Sequence, residues 1–282
     1  MRIAFWSPYH GQAGTTSNIL AVSLIAGMVN KKNVILTQTQ FDMNNLEAPL
    51  VGVNSKNKES IEYFRGTGLD TLLRSYKASP LSHEDIENCC ISFEGTNVRL
   101  LPGSSKVNRT HFEAEMEASI NGLFSNIEKH YDILLIDVSS GINNLSMKII
   151  KDCDLLVVNL SQNIGIVDDY LSHPVQNVNG EAFYLLGNYD YNSKYNLSSI
   201  RRRFFKHIER DNSGVIPYNT SYMDAQNDGT VINFFRNNLK TTKDDSNKYF
   251  IEKVTTSTNK IIALAETSIK KKEANRWTVH LT

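Results

Sequence analysis

The residues best suited to chemistry stand in one short stretch, Ser7-Pro8-Tyr9-His10-Gly11-Gln12-Ala13-Gly14-Thr15-Thr16-Ser17-Asn18. An apolar run, Arg2 to Trp6, precedes it, and a second apolar run begins at Asn18. Strand, glycine loop and helix in this order bring backbone N–H groups and a helix N-terminus to one point, an arrangement that holds phosphate. A Gly-x-x-Gly loop is a weak signal by itself, so other chemistries have to be weighed. The densest basic run is Arg201-Arg202-Arg203-Phe204-Phe205-Lys206. It reads either as a contact for DNA, anionic lipid or an acidic partner, or as the solvated face of a helix over 197–209 with Phe204 and Phe205 partly in the core. The seven histidines show no HxxxH or HExxH spacing and no Gly-x-Ser-x-Gly elbow occurs, which argues against a zinc site and a hydrolase triad. Cys89 and Cys90 are adjacent within an expected helix and do not suit a bridging iron–sulfur site, while Cys153 reads as a small buried residue.

The loop needs a scaffold, and the rest of the chain reads as one. Apolar runs alternate with helical patterns, which argues for βαβ units and a mainly parallel sheet. Strands are expected at 2–6, 34–37, 97–101, 133–136, 155–160, 183–186 and 214–216. Helices are expected from Asn18 to Val29, over 70–76, from a capping box at Ser82–Asp85, and over 113–129, 197–209 and 249–272. Gly52 to Asp70 is polar and reads as an insertion or loop. The fold class is therefore α/β, a three-layer sandwich with helices on both faces of the sheet, and 1–282 reads as a single domain.

Composition narrows the function classes. The chain has 282 residues, with 30 Lys+Arg against 30 Asp+Glu and 40% hydrophobic residues. A net charge of zero removes any whole-protein attraction to nucleic acid, so binding there requires a local patch. The longest nearly apolar run, Ile19 to Val29, spans 11 residues, short of the ~20 that cross a bilayer. No signal peptide is read at the start, and the expected compartment is a reducing cytoplasm. Lys270-Lys271-Lys272 and Arg276-Trp277 read either as a membrane-surface anchor, which would place the protein peripherally at a membrane, or as part of an ordinary docking helix.

At the glycine loop the sequence resembles the ParA/MinD group of deviant P-loop ATPases, whose loop reads KGGxGKTT. His10 falls on the signature lysine and Thr15 on the usual P-loop lysine, while Gly11, Gly14, Thr16 and Ser17 keep the expected types. Further landmarks follow in order. Tyr131 to Asp137 resembles the Walker B strand, Ser139-Ser140-Gly141 its small turn, and Asp154 to Val158 the next strand. Tyr184 to Asp190 resembles the strand whose asparagine, here Asn188, reads adenine. Gly214-Val215-Ile216-Pro217-Tyr218 resembles the turn whose proline flanks the base. The resemblance covers about 1–240 and leaves 241–282 as a C-terminal helix and tail. Leu100-Leu101-Pro102-Gly103 and Tyr222-Met223-Asp224-Ala225 also look like the TadZ/CpaE-like subgroup, which places pilus assembly machinery.

The resemblance implies ATP or ADP with its phosphates on His10, Gly11, Gln12, Ala13, Gly14, Thr15, Thr16 and Ser17. It implies Mg²⁺ held by Thr16 and, through water, Asp137, with adenine beside Asn188, Pro217 and Tyr218. Both lysines are replaced, and Gln38 or Gln40 stands where the family has a carboxylate; Gln40 and Asp42 are the candidates for positioning water. Losing one charge-assisted bond, worth ~1.5–3 kcal/mol, weakens phosphate binding about 10- to 150-fold, which millimolar ATP tolerates. Catalysis suffers more, because phosphoryl transfer depends on positive charge in the transition state. The implied function is an ATP-binding switch with weak or absent hydrolysis that forms a homodimer and positions a pilus or secretion apparatus. If the chain is active as an enzyme, it is a weak Mg²⁺-dependent ATPase. Two alternatives stay open: a partition ATPase that binds DNA through Arg201, Arg202, Arg203 and Lys206, and a nucleotide-free scaffold.

Overall fold

The computed structural model describes residues 1–40, 46–52, 66–104, 106, 108–175, 181–241 and 245–279. Its centre is a sheet of β1 (Arg2–Trp6), β2 (Val34–Gln38), β3 (Ile91–Ser92), β4 (Val98–Leu101), β5 (Ile133–Asp137), β6 (Leu155–Leu160), β7 (Ala182–Tyr189) and β8 (Ser213–Pro217). The strand order is β3-β4-β2-β5-β1-β6-β7-β8. All pairs are parallel except β3 with β4. β1, β2, β5 and β6 are buried along their whole length, as strands covered on both faces must be.

Alternate side chains serve opposite cores. Ile3, Phe5, Ile133 and Leu135 pack toward α1 (Thr15–Met28), α9 (Thr220–Asn227), α10 (Val231–Asn238) and α11 (Ser246–Val279), with α2 (Glu47–Val51) at the edge of that layer. Ala4, Trp6, Leu134 and Ile136 face the other layer, α3 (Gly68–Ala78), α4 (His83–Cys89), α5 (Arg109–Ile127), α6 (Asn144–Asp152), α7 (Ile164–Ser172) and α8 (Leu197–Arg203). The chain leaves β1 toward β2 on one side and β6 toward β7 on the other. A crevice therefore opens at the carboxyl ends of these two neighbouring strands, where ligands bind in open α/β sheets.

The expected three-layer α/β fold is the one observed, with instructive differences. Strand pairing adds the two-residue β3, and five short helices, α2, α6, α7, α9 and α10, escape the sequence reading. α1 starts at Thr15 rather than Asn18, because Gly14 takes the left-handed conformation (φ 61°, ψ 38°) and turns the chain directly into the helix. The expected helix over 197–209 stops at Arg203. Phe204 leaves helical geometry (φ −114°, ψ 36°), and the chain doubles back so that Ser213 can enter β8 beside Arg201. Phe204 is buried but Phe205 is 66% exposed, so only one of the pair belongs to the core. Residues 53–65 of the expected insertion, and Asp42, lie outside the described residues. In α11, Lys272 meets Asp154 at 3.2 Å and Lys271 meets Glu181 at 2.6 Å, which docks this helix against the sheet. Among the described residues no helix is long and apolar enough to cross a membrane.

Candidate phosphate and base cavities

Residues 7–14 connect β1 to α1 at the crevice. Six other helices begin on a side-chain cap, from Ser82, Asn108, Asn143, Asn163, Asn196 or Asn219. α1 has none, since its cap residue is Gly14. Its first N–H groups thus lack the partner that these six helices supply for themselves, and they are available to an anion.

Several buried contacts hold the loop in place. Asn18 Nδ2 donates to the Ala13 carbonyl (2.9 Å) and to Asn159 Oδ1 (2.9 Å), with both asparagines buried. Asn159 Nδ2 in turn donates to the Trp6 carbonyl at 3.3 Å. The Tyr222 hydroxyl, from α9, donates to the Ser17 carbonyl at 2.8 Å and fixes the first turn of α1. Gly187 lets β7 come up against the loop, because a Cβ there would lie 2.0 Å from the Ala13 carbonyl oxygen.

The loop and α1 border a cavity of 580 Å³ lined by His10, Gly11, Ala13, Gly14, Thr15, Thr16 and Ser17, with Gln40, Ser140 and Asn188 on its other walls. Of the residues expected to hold phosphate, only Gln12 stays outside the lining, exposed on the loop; of the expected Mg²⁺ ligands, Thr16 lines it and Asp137 does not. No Lys or Arg lines the cavity among the described residues. Asn188 sits at positive φ (48°) at the end of β7, and its amide lies 3.3 Å from where a Gly14 Cβ would stand. It also borders a neighbouring cavity of 800 Å³ lined by Tyr189, Pro217, Tyr218, Ser246 and Tyr249. The structure thus brings Asn188, Pro217 and Tyr218 together on one cavity wall.

Asp137 ends β5 behind Thr16 of the cavity wall and is fully buried. Thr16 Oγ1 donates to its Oδ2 at 2.6 Å, and its Oδ1 has no hydrogen-bond partner. Burial pushes this carboxyl up to about 7; the Thr16 and Gln40 side chains favour the charged form, and the Glu47 charge opposes it. A buried carboxylate with one unpartnered oxygen beside a threonine hydroxyl is an oxygen donor set suited to a hard divalent cation. Among the described residues no cluster of three or more His, Cys, Asp or Glu forms a separate metal centre.

The reading of the sequence missed Glu47. This residue of α2 is wholly buried, accepts from Gln38 Nε2 at 2.8 Å and from the Gly103 N–H at 2.7 Å, and burial raises its carboxyl above the usual range. Gln38 is therefore tied to Glu47, and Gln40 is the glutamine that reaches the cavity. No signal in the sequence marks Glu47, because it stands in a stretch of mixed polar and apolar residues without periodicity.

No protein-family model matches the sequence, and no curated protein matches it. Solved structures do. A ParA family ATPase from Chlorobium tepidum superposes with a TM-score of 0.66 at 13% identity, over 91% of this chain and 98% of that one. The Pyrococcus horikoshii septum site-determining protein MinD complexed with Mg-ADP gives 0.62 at 18% identity, over 94% and 98%. MinD in the Aquifex aeolicus MinC:MinD cell division complex gives 0.64 at 14% identity, over 93% and 96%. The chain has the fold of the MinD/ParA ATPases.

Proposed function

We propose that this protein is a nucleotide-dependent switch of the ParA/MinD type, which binds Mg²⁺ with ATP or ADP and hydrolyses slowly or not at all. The observation that carries the reading is the meeting of an uncapped helix N-terminus with a half-partnered buried carboxylate, both at the carboxyl end of a parallel sheet. The amides of Gly14 to Ser17 would take the phosphates, and Asn188, Pro217 and Tyr218 the base. Thr16 and Asp137 would hold Mg²⁺, which supplies positive charge against the phosphate oxygens when bound. Gln40 can orient a water molecule but cannot take its proton at neutral pH. With no Lys or Arg among the described residues of the cavity wall, transition-state charge lacks a fixed counter-charge from them, which favours binding over turnover.

A switch needs two states, and dimerisation on ATP is the one we favour; occupancy would shift the monomer–dimer population. The pilus or secretion machine is favoured over a partition role by the Leu100–Gly103 and Tyr222–Ala225 stretches and by the degenerate loop. Sedimentation velocity with and without Mg²⁺ and a non-hydrolysable ATP analogue tests the switch. A shift from monomer to dimer that Asp137→Ala abolishes supports it, and one unchanged sedimentation coefficient throughout sinks it.

A further inference from the structure

On the far side of the base cavity lies a third cavity, of 790 Å³, between α8, α11 and the edge strand β8. Among the described residues six cations line it, namely Lys194, Arg201, Arg202, Arg210, Lys253 and Lys260, and no carboxylate does. They come from four separate segments of a chain whose net charge is zero. Among the described residues none of the six forms an ion pair. The Arg201 guanidinium donates instead to Ser213 Oγ (2.8 Å) and the Ser213 carbonyl (3.2 Å), and Lys260 Nζ to the Arg210 and Ser213 carbonyls (2.6 and 3.3 Å). Arg201 and Lys260 are thereby held side by side and half-buried, a costly arrangement for like charges. Burial first, and then the neighbouring cations, lower both side chains below their ordinary values, against the opposing charge of nearby Asp211.

We propose that this cavity is a second anion site, which binds a small soluble phosphate ester carrying two or more phosphates, separately from the loop site. Convergent cations on one concavity of this volume suit a compact polyanion, whereas duplex nucleic acid calls for charges spread along a stripe. The basic run is accordingly divided: Arg201 and Arg202 face the cavity, while Arg203 and Lys206 are not part of its wall. With no carboxylate in the lining, binding here needs no Mg²⁺, which separates it from the proposed nucleotide site.

The test is calorimetric titration of inorganic pyrophosphate into the full chain in EDTA. One equivalent should bind. Arg202→Ala/Lys253→Ala, chosen because neither side chain supports the fold through a hydrogen bond, should weaken it at least tenfold, since each lost charged contact is worth about that factor. Asp137→Asn, which alters only the loop site, should leave it unchanged. Absence of binding, or binding that follows Asp137→Asn and ignores Arg202→Ala/Lys253→Ala, overturns the proposal. Displacement of pyrophosphate by short duplex DNA or by phosphatidylglycerol vesicles, at equal phosphate concentration, would reassign the cavity to a macromolecular surface.

Discussion

Replacing Asn18 by alanine should damage the loop more than any exposed change near it. The side chain makes two donations from a buried position, to the Ala13 carbonyl and to Asn159 Oδ1. Asn18→Ala leaves both acceptors buried without a donor, and at about 1–3 kcal/mol for each unsatisfied group the cost is about 2–6 kcal/mol. Asn159→Ala removes the same bond from the other side, so the double variant should cost less than the sum of the two singles by about 0.5–3 kcal/mol. Gln12→Ala, an exposed change in the same loop, should fall within about 0.5 kcal/mol of the parent. Urea denaturation of the parent and the four variants, read by fluorescence and far-ultraviolet dichroism, gives the stabilities. Equilibrium dialysis with Mg·ATP then shows whether the loop amides have lost their arrangement, with an affinity loss of about tenfold expected for Asn18→Ala. If Asn18→Ala costs less than about 0.5 kcal/mol and leaves affinity intact, the buried amide pair does not position the loop.

Other expectations follow from the same geometry. Gly187→Ala should destabilise by about 1–3 kcal/mol or more and abolish nucleotide binding, because the new Cβ collides with the Ala13 carbonyl; thermal melts and dialysis check both. Thr15→Lys, which restores a charge at the loop, should tighten Mg·ATP binding about 10- to 150-fold, and an unchanged affinity would show that the Thr15 position does not face phosphate. The Asp137 carboxyl stands at about 7 in the folded protein, above its unfolded value. Its contribution to stability is therefore fully present below the unfolded pKa and is lost as pH rises through about 7. Asp137→Asn should thus raise the melting temperature of the nucleotide-free protein at pH 8 more than at pH 5, while Mg²⁺-dependent binding disappears. Because Mg²⁺ requires the ionised carboxylate, wild-type binding near pH 6.5 should release a proton, seen as a buffer-dependent heat.

The parts of the fold that were legible in the sequence are those whose side chains report their surroundings. β5 and β6 are unbroken apolar runs because both faces are covered, and Met116, Ile120, Leu123, Phe124 and Ile127 mark α5 by one buried stripe. The short helices α6, α7 and α9 span only two to three turns, too few for periodicity to stand out; their signal was the capping asparagine at 143, 163 and 219. At the site, the glycine loop, Thr16, Asp137 and Asn188 could be placed because motif order survives without side-chain periodicity. Glu47, Asn159 and the Tyr222 hydroxyl act through contacts spanning 9, 141 and 205 residues, which spacing along one chain does not encode. The basic cavity was half legible: Arg201 and Arg202 stand in a visible run flanked by Lys194 and Arg210, but Lys253 and Lys260 join them only when α11 lies against β8.

Calorimetric titration of ATP into the protein with and without Mg²⁺, beside Asp137→Ala, tests most directly whether this fold still binds nucleotide. A dissociation constant between micromolar and submillimolar that depends on Mg²⁺, and that Asp137→Ala abolishes, is the expected result. No heat of binding at millimolar ATP would contradict it and leave a scaffold that kept the sheet and its uncapped helix without their ligand.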